Sequence, residues 1–319
     1  MDSTDLTSYL ETALLPAMGI SGRRFALEAL DHSGTRSRVL LVRIEGIAPL
    51  LLRAWQARLA ASRNVAALRH LDELGLPAPR LVFHDLALTG RWGREADQRL
   101  PYITIETFIE GRRLSDITDP GEREAALAGT AGLLRRFRQA TRSRWGRPGR
   151  PSWLPFFPHA IAGARRLLRA ISQNGWLSEN ETAATLARLG SWDRSIGAIR
   201  SFGLVHKDIN PDNLIVGAGG LVTAVDLHRL AYEPFPEEIF NALRHICPDE
   251  PGIAAAFLDH YFCEGDDADR ELFESTRGFF EVVYAIKRLA RLIGRESNHP
   301  GFSEAPLWKA VILRVTTPA

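Results

Sequence analysis

The spacing of apolar residues changes along the chain and divides it into a strand-rich part and a helix-rich part. In the first third, apolar and polar residues mostly alternate, which indicates strands, and two segments show helical spacing instead. The predicted strands cover residues 24–30, 38–45, 49–55, 80–88 and 102–109, and the predicted helices cover residues 4–15 and 59–74. After the first helix, the order of three strands, one helix and two strands predicts a small antiparallel sheet that carries one helix.

The remaining two thirds of the chain are predicted to be mainly helical. Apolar residues recur at helical spacing in residues 123–141, 160–173, 181–201, 237–246, 252–262 and 268–294. Residues 142–158 interrupt this series with arginine, aromatic residues, glycine and proline, which excludes a continuous helix there. We therefore predict an α+β protein with a first domain over residues 1–108, including an N-terminal extension of residues 1–22, and a helical second domain over residues 109–319.

The composition is that of an ordinary soluble globular protein and excludes several classes. Of the 319 residues, 45% are hydrophobic and 24% are charged, and the net charge of +2 gives no reason to expect a nucleic-acid partner. No apolar run is long enough to span a membrane, and the acidic start of the chain is unlike a signal peptide. Cys247 and Cys263 lack the spacing of a metal site or a disulfide framework, which favours a reducing, cytoplasmic setting.

The segment from residue 203 to residue 229 carries the candidate chemistry. Asp208 follows a short apolar segment, Asn213 comes five residues later, and Asp226 comes thirteen residues after that. Residues 214–225 predict a hairpin of two short strands, which would bring Asn213 and Asp226 to the same end. Their side-chain oxygens are ligands that Mg²⁺ accepts together with phosphate oxygens, and Asp208 would take or orient the proton of an acceptor hydroxyl. This spacing indicates phosphoryl transfer from a nucleotide.

This segment resembles the catalytic loop and the metal loop of the protein-kinase-like fold, in the small-molecule branch that includes aminoglycoside phosphotransferases and choline kinases. The resemblance implies two lobes, a small antiparallel sheet with one helix and a larger, mainly helical lobe. It implies ATP and Mg²⁺ as cofactors, with Asn213 and Asp226 as metal ligands and Asp208 as the catalytic base or orienting group. Lys207 would contact the γ-phosphate or the acceptor, or remain solvated.

The resemblance extends more weakly to the first part of the chain. A turn with Ser33, Gly34 and Thr35 would lie over the nucleotide phosphates, where small residues let backbone N–H groups approach. The connection from Glu106 to Phe108 would bind the adenine through its backbone. Residues 110–114 resemble the Glu-Gly-x-x-Leu that opens the larger lobe in the aminoglycoside-kinase group.

Two positions depart from the family pattern. The family carries a lysine on the third strand that holds the α- and β-phosphates and pairs with a glutamate on the helix. By spacing, these positions hold Arg53 and Asn64, and the chain has no lysine before Lys207. Arginine can bind phosphate through its planar fork, which makes Arg53 the candidate phosphate ligand, whereas Asn64 supplies no countercharge. The same departures would suit a pseudokinase, a nucleotide-binding or partner-binding module, although the presence of Asp208, Asn213 and Asp226 together favours an active enzyme.

The sequence gives conflicting indications about the acceptor. Asp226 and the three residues after it are similar to the Asp-Leu-His-Arg of bacterial lipopolysaccharide core kinases, which phosphorylate heptose or Kdo sugars. The arginine-rich and aromatic residues 142–157 would suit an anionic glycan or the anionic headgroups of the inner membrane surface, or form a solvated loop. The acidic cluster of Glu233, Glu237 and Glu238 instead favours a polycationic acceptor of the aminoglycoside kind. No segment resembles the activation loop of protein kinases, so the predicted acceptor is a glycan or a small molecule rather than a protein.

Overall fold

The computed structural model describes residues 3–30, 37–86, 102–247, 251–262, 266–293 and 303–316. The predicted phosphate turn at Ser33, Gly34 and Thr35 lies outside these residues. The chain forms two compact units, the first made of Met1–Leu133 with Pro211–Leu230 and the second of Leu134–Asn210 with Ala231–Ala319. In this division, residues 109–133 and the predicted hairpin belong to the first unit, and the predicted domain boundary after residue 108 stays a prediction.

An antiparallel sheet forms the centre of the first unit. Its strands are β1 (Phe25–Ala29), β2 (Ser37–Ile44), β3 (Leu50–Trp55), β4 (Leu81–Asp85) and β5 (Tyr102–Thr107). They lie in the order β1-β2-β3-β5-β4, and each neighbouring pair is antiparallel. The helices of this part are α1 (Ser3–Tyr9), which continues through a π-helical turn into α2 (Leu15–Ala17), and α3 (Arg58–Glu73) between β3 and β4. The predicted sheet with one inserted helix is confirmed.

The two faces of this sheet differ, because successive side chains of a strand point to opposite faces. One face packs against the N-terminal helices in a cluster of apolar side chains: Leu6, Leu10, Leu14, Leu50, Leu52, Ala54, Ile103 and Ile105. The alternate residues of β3 and β5, among them Arg53, Thr104 and Glu106, therefore share the other face. All three of these polar side chains are buried.

The rest of the chain combines short strands with long helices. The strands are β6 (Arg112–Arg113), β7 (Thr141–Arg142), β8 (Gly146–Arg147), β9 (Arg150–Pro151), β10 (Phe202–Val205), β11 (Leu214–Val216), β12 (Val222–Ala224) and β13 (Ala231–Glu233). The helices are α4 (Pro120–Gln139), α5 (Phe156–Gln173), α6 (Glu179–Gly190), α7 (Asp193–Gly197), α8 (Phe235–Ile246), α9 (Pro251–Tyr261), α10 (Asp267–Ile293) and α11 (Ala305–Thr316). These helices confirm the predicted helix-rich part, except that the predicted helix over residues 181–201 is divided into α6 and α7.

The second unit has its own sheet and core. Its five short strands pair in the order β7-β10-β13-β8-β9. Apolar side chains of α5, α6, α10 and α11 form the main cluster, with Leu168, Phe279 and Leu289 at its centre, all at most 1% exposed. In the described part of the chain, every helix is too short or too polar to cross a bilayer.

A three-stranded sheet in the first unit holds the predicted hairpin. Strands β11 and β12 pair with each other, and β6 pairs with β11 on the other side. Gly111 precedes β6 at φ +149°, and a Cβ atom there would lie 2.4 Å from the backbone oxygen of Val216. Glycine is therefore required at the position that the resemblance had marked, since any side chain would collide with β11.

Candidate active site

The β11–β12 hairpin places Asn213 and Asp226 at the same end, as the sequence predicted. Leu214 pairs with Ala224, and the N–H of Val225 donates to the backbone oxygen of Asn213 at 2.9 Å. The carboxamide residue Asn213 precedes β11 and the carboxylate residue Asp226 follows β12, so both lie at the open end of the hairpin. Both supply hard oxygen donors, which fits a Mg²⁺ ion that completes its coordination with nucleotide phosphates and water.

Asp226 has an unusual backbone conformation. Its φ and ψ are 60° and 53°, in the left-handed region, and its Oδ1 lies 2.8 Å from Nδ1 of His228. His228 is 5% exposed, and its ring lies 5.8 Å from the Trp55 ring at an interplanar angle of 59°, so it is a buried structural partner of Asp226. Among the described residues, only Lys207 shares a positive φ without being glycine. Such strained residues concentrate at functional sites, and here both lie within the predicted motif of residues 203–229.

Arg53 is buried next to two carboxylates of the first unit. Its guanidinium Nε donates to Oε1 of Glu106 on the neighbouring strand, and its side chain is 9% exposed. Burial opposes the charged form of Arg53, but the charges of Glu106 and Asp226 outweigh it and raise the pKa of the guanidinium. The candidate phosphate ligand is therefore a permanent cation within electrostatic reach of the candidate metal ligand.

By spacing, Asn64 is predicted to take the helix position where the family has a glutamate. It lies on α3 and is 1% exposed. Its Nδ2 has no hydrogen-bond partner among the described residues. Burying an unsatisfied amide costs about 1–3 kcal/mol, so this side chain adds polarity to α3 without supplying the countercharge for Arg53.

The loop that holds Asp208 lies in the second unit and is fixed by Glu238 of α8. The carboxylate of Glu238 accepts the N–H of His206 at 2.7 Å and that of Lys207 at 3.4 Å. His206 is fully buried, and its Nδ1 accepts the N–H of Asp208 at 3.3 Å. Burial raises the pKa of Glu238 to about 7. Sequence reasoning had treated Glu238 as part of an acceptor site, whereas its contacts show that it supports the backbone around Asp208.

The other two members of the acidic cluster are paired with lysines. Glu233 accepts from Nζ of Lys207, and Oε1 of Glu237 lies 3.5 Å from Nζ of Lys287. Burial and the neighbouring charge of Glu237 raise the pKa of Glu233 to about 8. The pKa of Glu237 is lowered, because Lys207 and Lys287 outweigh the effect of its burial. The cluster is therefore largely neutralised within the second unit, which removes the argument it gave for a polycationic acceptor.

A cavity of about 230 Å³ in the second unit adjoins this cluster. Aromatic side chains of Trp145, Phe156, Phe279 and Phe280 form part of its wall. The charged side chains that line it are Arg166, Lys207, Lys287, Glu233 and Glu237, three cations against two carboxylates. Because Lys207 directly precedes Asp208, this cavity is the candidate acceptor site of the unit.

The arginine-rich stretch is partly structural and partly exposed. Arg142 lies over the ring of Tyr232 at 4.6 Å, and Trp145 Nε1 donates to the backbone oxygen of Leu154 at 2.6 Å. Arg144 stacks on Trp153 at 3.3 Å, and Trp153 is 77% exposed. The stretch therefore combines a wall of the cavity with an exposed basic and aromatic tip.

The predicted adenine connection is held by backbone hydrogen bonds of the first unit. The N–H of Thr107 donates to the backbone oxygen of Arg80 at 2.9 Å, and the N–H of Phe108 donates to the backbone oxygen of Pro49 at 3.2 Å. The side chain of Glu106 pairs with Arg53, a relationship that sequence reasoning missed. The available signal was the alternation of apolar and polar residues in β5, which puts Thr104 and Glu106 on one face. The role of Glu106 and Phe108 in adenine binding stays a prediction.

Asp208 belongs to one unit, and Asn213 and Asp226 belong to the other. Their convergence around one nucleotide stays a prediction, as do the individual roles assigned to them. What the structure establishes is the local support of each group: the hairpin and His228 for the two predicted metal ligands, Glu106 for Arg53, and Glu238 for the backbone before Asp208.

Comparison with known proteins gives a family match and similar folds. Residues 29–273 match the model of a phosphotransferase enzyme family. The structure of aminoglycoside phosphotransferase APH(4)-Ia is similar at a TM-score of 0.69 and 15% identity, covering 99% of this chain and 98% of that one. ADP-bound APH(2'')-Ib is similar at a TM-score of 0.67 and 12% identity over 100% of both chains.

The ternary complex of streptomycin, ATP and APH(2'')-IIa has a TM-score of 0.61 and 13% identity, covering 98% of each chain. No curated protein matches the sequence. The structural likeness confirms the predicted kinase-like fold.

Proposed function

Because the chain belongs to the phosphotransferase enzyme family, we propose that it transfers the γ-phosphoryl group of ATP to a hydroxyl of a lipopolysaccharide core sugar, heptose or Kdo. Membership in the family and the aminoglycoside-kinase fold make the chain a small-molecule phosphotransferase with ATP as the phosphoryl donor. The observation that carries the choice of acceptor is the cavity beside Lys207, whose lining holds more cations than carboxylates.

In this proposal each group of the motif has a separate task. Asn213 and Asp226 would hold Mg²⁺, which neutralises phosphate charge as the γ-phosphoryl group is transferred. Arg53 would bind the nucleotide phosphates, as a guanidinium does with its planar set of donors. Asp208 would orient the acceptor hydroxyl and take its proton. Lys207 would contribute to the acceptor side, since it lines the cavity and is fixed by Glu233.

The lining of the cavity supports a sugar that is neutral or anionic. Lys207 and Lys287 are paired with the carboxylates of Glu233 and Glu237, and Arg166 adds a third cation to the lining. A polycation would find both carboxylates already paired, whereas phosphate or carboxylate groups of a core sugar would face the positive charge of Arg166. Trp145 and Phe156 add apolar ring surface suited to the C–H face of a sugar.

The second candidate acceptor is an aminoglycoside. It is favoured by the solved structures with a similar fold, because they include complexes with hygromycin B and with streptomycin. The similar chains share only 12–17% identity with this one over the structures compared. The charge balance of the cavity supports the core sugar as the proposed acceptor.

A panel of acceptors tests the proposal. Purified protein with ATP and Mg²⁺ is offered heptose, Kdo, lipopolysaccharide fragments and aminoglycosides, and ADP release above the acceptor-free rate is measured beside Asp208→Asn. We expect turnover with a core sugar and loss of that turnover in the variant. Turnover with aminoglycosides alone would establish the second candidate. Nucleotide binding without acceptor-dependent turnover across the whole panel would contradict the proposed acceptor.

The proposed reaction also implies a location. ATP and newly made core sugars are available together in the cytoplasm, and we place the activity there, at the inner face of the membrane. The exposed Trp153 and the Arg144 stacked on it would contact anionic headgroups. Sedimentation with anionic and with neutral vesicles tests this contact, and equal recovery of wild type and Trp153→Ala with both would rule it out.

A further inference from the structure

We propose that Glu106, on β5, is the countercharge that positions Arg53 for the nucleotide phosphates. The family pattern places this countercharge on the helix, at the position of Asn64 in this chain. The inference rests on the proposed use of ATP, and it does not depend on which acceptor is phosphorylated.

The geometry of the sheet explains how Glu106 reaches Arg53. Strands β3 and β5 are antiparallel neighbours, with Arg53 opposite Thr104 and Leu51 opposite Glu106. Glu106 is thus the diagonal neighbour of Arg53 on the same face, a position that long side chains can span. Thr104, between them, accepts from Trp55 Nε1 at 2.9 Å.

Burial makes a countercharge necessary. The side chains of Arg53 and Glu106 are 9% and 2% exposed, so neither charge is stabilised by bulk water. A buried cation without a carboxylate partner would be strongly unfavourable. Asn64 cannot meet this need, because it is neutral and its Nδ2 is left without a partner among the described residues.

The position of Arg53 relative to Asp226 connects the pair to the nucleotide. Both Glu106 and Asp226 act electrostatically on the guanidinium. Glu106 is the buried, permanent partner, and Asp226, 31% exposed, is the candidate metal ligand. Glu106 therefore fixes Arg53 from the neighbouring strand. In that position, the guanidinium would attract phosphates bound to a metal ion at Asp226.

This arrangement has a functional consequence. In protein kinases, the position of the helix that carries the glutamate controls whether the ion pair forms. Here both partners lie on neighbouring strands of one sheet, so the pair does not require a particular position of α3. Glu106 is thus a positioning residue that keeps the phosphate-binding cation assembled.

Binding of adenosine, ADP and ATP, measured by calorimetry with Mg²⁺, tests the inference. Glu106→Gln is expected to weaken ADP and ATP by about 10–100-fold, the loss typical of a misplaced polar group, and to leave adenosine unchanged. Glu28→Gln is the matched control, since Glu28 also pairs with an arginine of the same sheet, Arg43, but at the surface. Equal weakening of all three ligands, or of none, would overturn the inference, because Glu106 would then serve the adenine or only the fold.

A double-mutant cycle with Arg53→Gln shows whether Glu106 acts through Arg53. The double variant is expected to bind ATP no more weakly than Arg53→Gln alone. Losses that multiply would mean that Glu106 acts independently, which contradicts its role as the partner of Arg53. If Glu106→Gln does not fold, Glu106→Asp keeps the charge with a shorter reach, and its selectivity between adenosine and ATP decides in the same way. Failure of wild type to bind ATP would instead refute the proposed function.

Discussion

The carboxylate of Glu238 accepts the backbone N–H of His206 at 2.7 Å and ties helix α8 to the loop before Asp208. Glu238 is 3% exposed, so its oxygens replace water as acceptors for this loop. Lys207, which also donates to Glu238, has a φ of 66°, a conformation that needs such support.

Glu238→Gln is expected to loosen this loop. The amide keeps one acceptor oxygen but turns an NH₂ group towards the second N–H donor, which leaves a buried donor unsatisfied. We expect a loss of about 1–3 kcal/mol in the free energy of unfolding. We also expect a kcat lower by up to about 10²-fold. Urea denaturation and steady-state kinetics measure the two effects. Glu274→Gln, at an exposed carboxylate paired with Arg277, is the control and should leave both unchanged.

The raised pKa of Glu238 predicts a pH dependence of stability. With a pKa of about 7 in the folded protein, against 4.5 as its ordinary value, this carboxyl keeps its proton at pH values where the unfolded chain has lost it. Its contribution to stability is therefore present below pH 4.5 and is lost as the pH rises through 7. Between pH 5 and 8, the free energy of unfolding should fall less steeply with pH in Glu238→Gln than in wild type. The slopes should differ by at most about 1.4 kcal/mol per pH unit. Identical slopes would mean that Glu238 is ionised throughout this range.

Gly111→Ala should destabilise the first unit through the close approach to β11. Its Cβ would lie 2.4 Å from the oxygen of Val216, in addition to the strain of a positive φ. Gly75→Ala is the matched variant, because Gly75 has φ +64° with no atom within 4 Å of the added Cβ. We expect about 1 kcal/mol from the strain alone in Gly75→Ala and at least about 1–3 kcal/mol more in Gly111→Ala. Equal losses in thermal melts would show that β6 and β11 can separate without cost.

Asn64→Leu should stabilise the protein without harming nucleotide binding. Leucine has the same branching and the same number of side-chain heavy atoms as asparagine, and it removes the unsatisfied Nδ2, which is worth about 1–3 kcal/mol of unfolding free energy. The Kd for ATP should not change, because Arg53 takes its countercharge from Glu106 rather than from α3. A weaker Kd for ATP in this variant would indicate that Asn64 contacts the nucleotide after all.

The parts of the structure that depend on local pattern were predictable from the sequence. The alternation in β5, the glycine turn between β11 and β12, and the helical spacing in α10 each specify an element within one segment. The same hairpin made it predictable that Asn213 and Asp226 lie at one end, since two short strands and one turn leave little choice of register.

Relationships between distant segments were not predictable in this way. Glu106 meets Arg53 only because β5 lies beside β3 although β4 precedes it in sequence. Helices α6 and α7 separate where Trp192, 8% exposed, donates to the backbone oxygen of Ser275, a contact with α10 that no local pattern contains. The short strand β8 exists because Gly146 pairs with Tyr232 of β13. Such contacts can be predicted only when the strand register and the packing of the helices are known, and a single sequence does not supply either.

Asp208→Asn and Asp226→Asn should separate catalysis from metal binding. Both changes keep the size of the side chain and remove one negative charge. Asp208→Asn removes the proton acceptor, so kcat should fall by about 10²–10⁴-fold, while the affinity for ATP with Mg²⁺ is kept. Asp226→Asn removes the anionic metal ligand and the partner of His228, so the gain in ATP affinity that Mg²⁺ provides should disappear.

Calorimetry with and without Mg²⁺, together with single-turnover kinetics, measures both effects, and Asp212→Asn serves as the control at an exposed position of the same loop. If Asp208→Asn also abolished the Mg²⁺-dependent gain in affinity, Asp208 would be a metal ligand rather than the base. The division of roles between the two carboxylates would then be wrong, because the charge of Asp208 would be needed before the acceptor arrives.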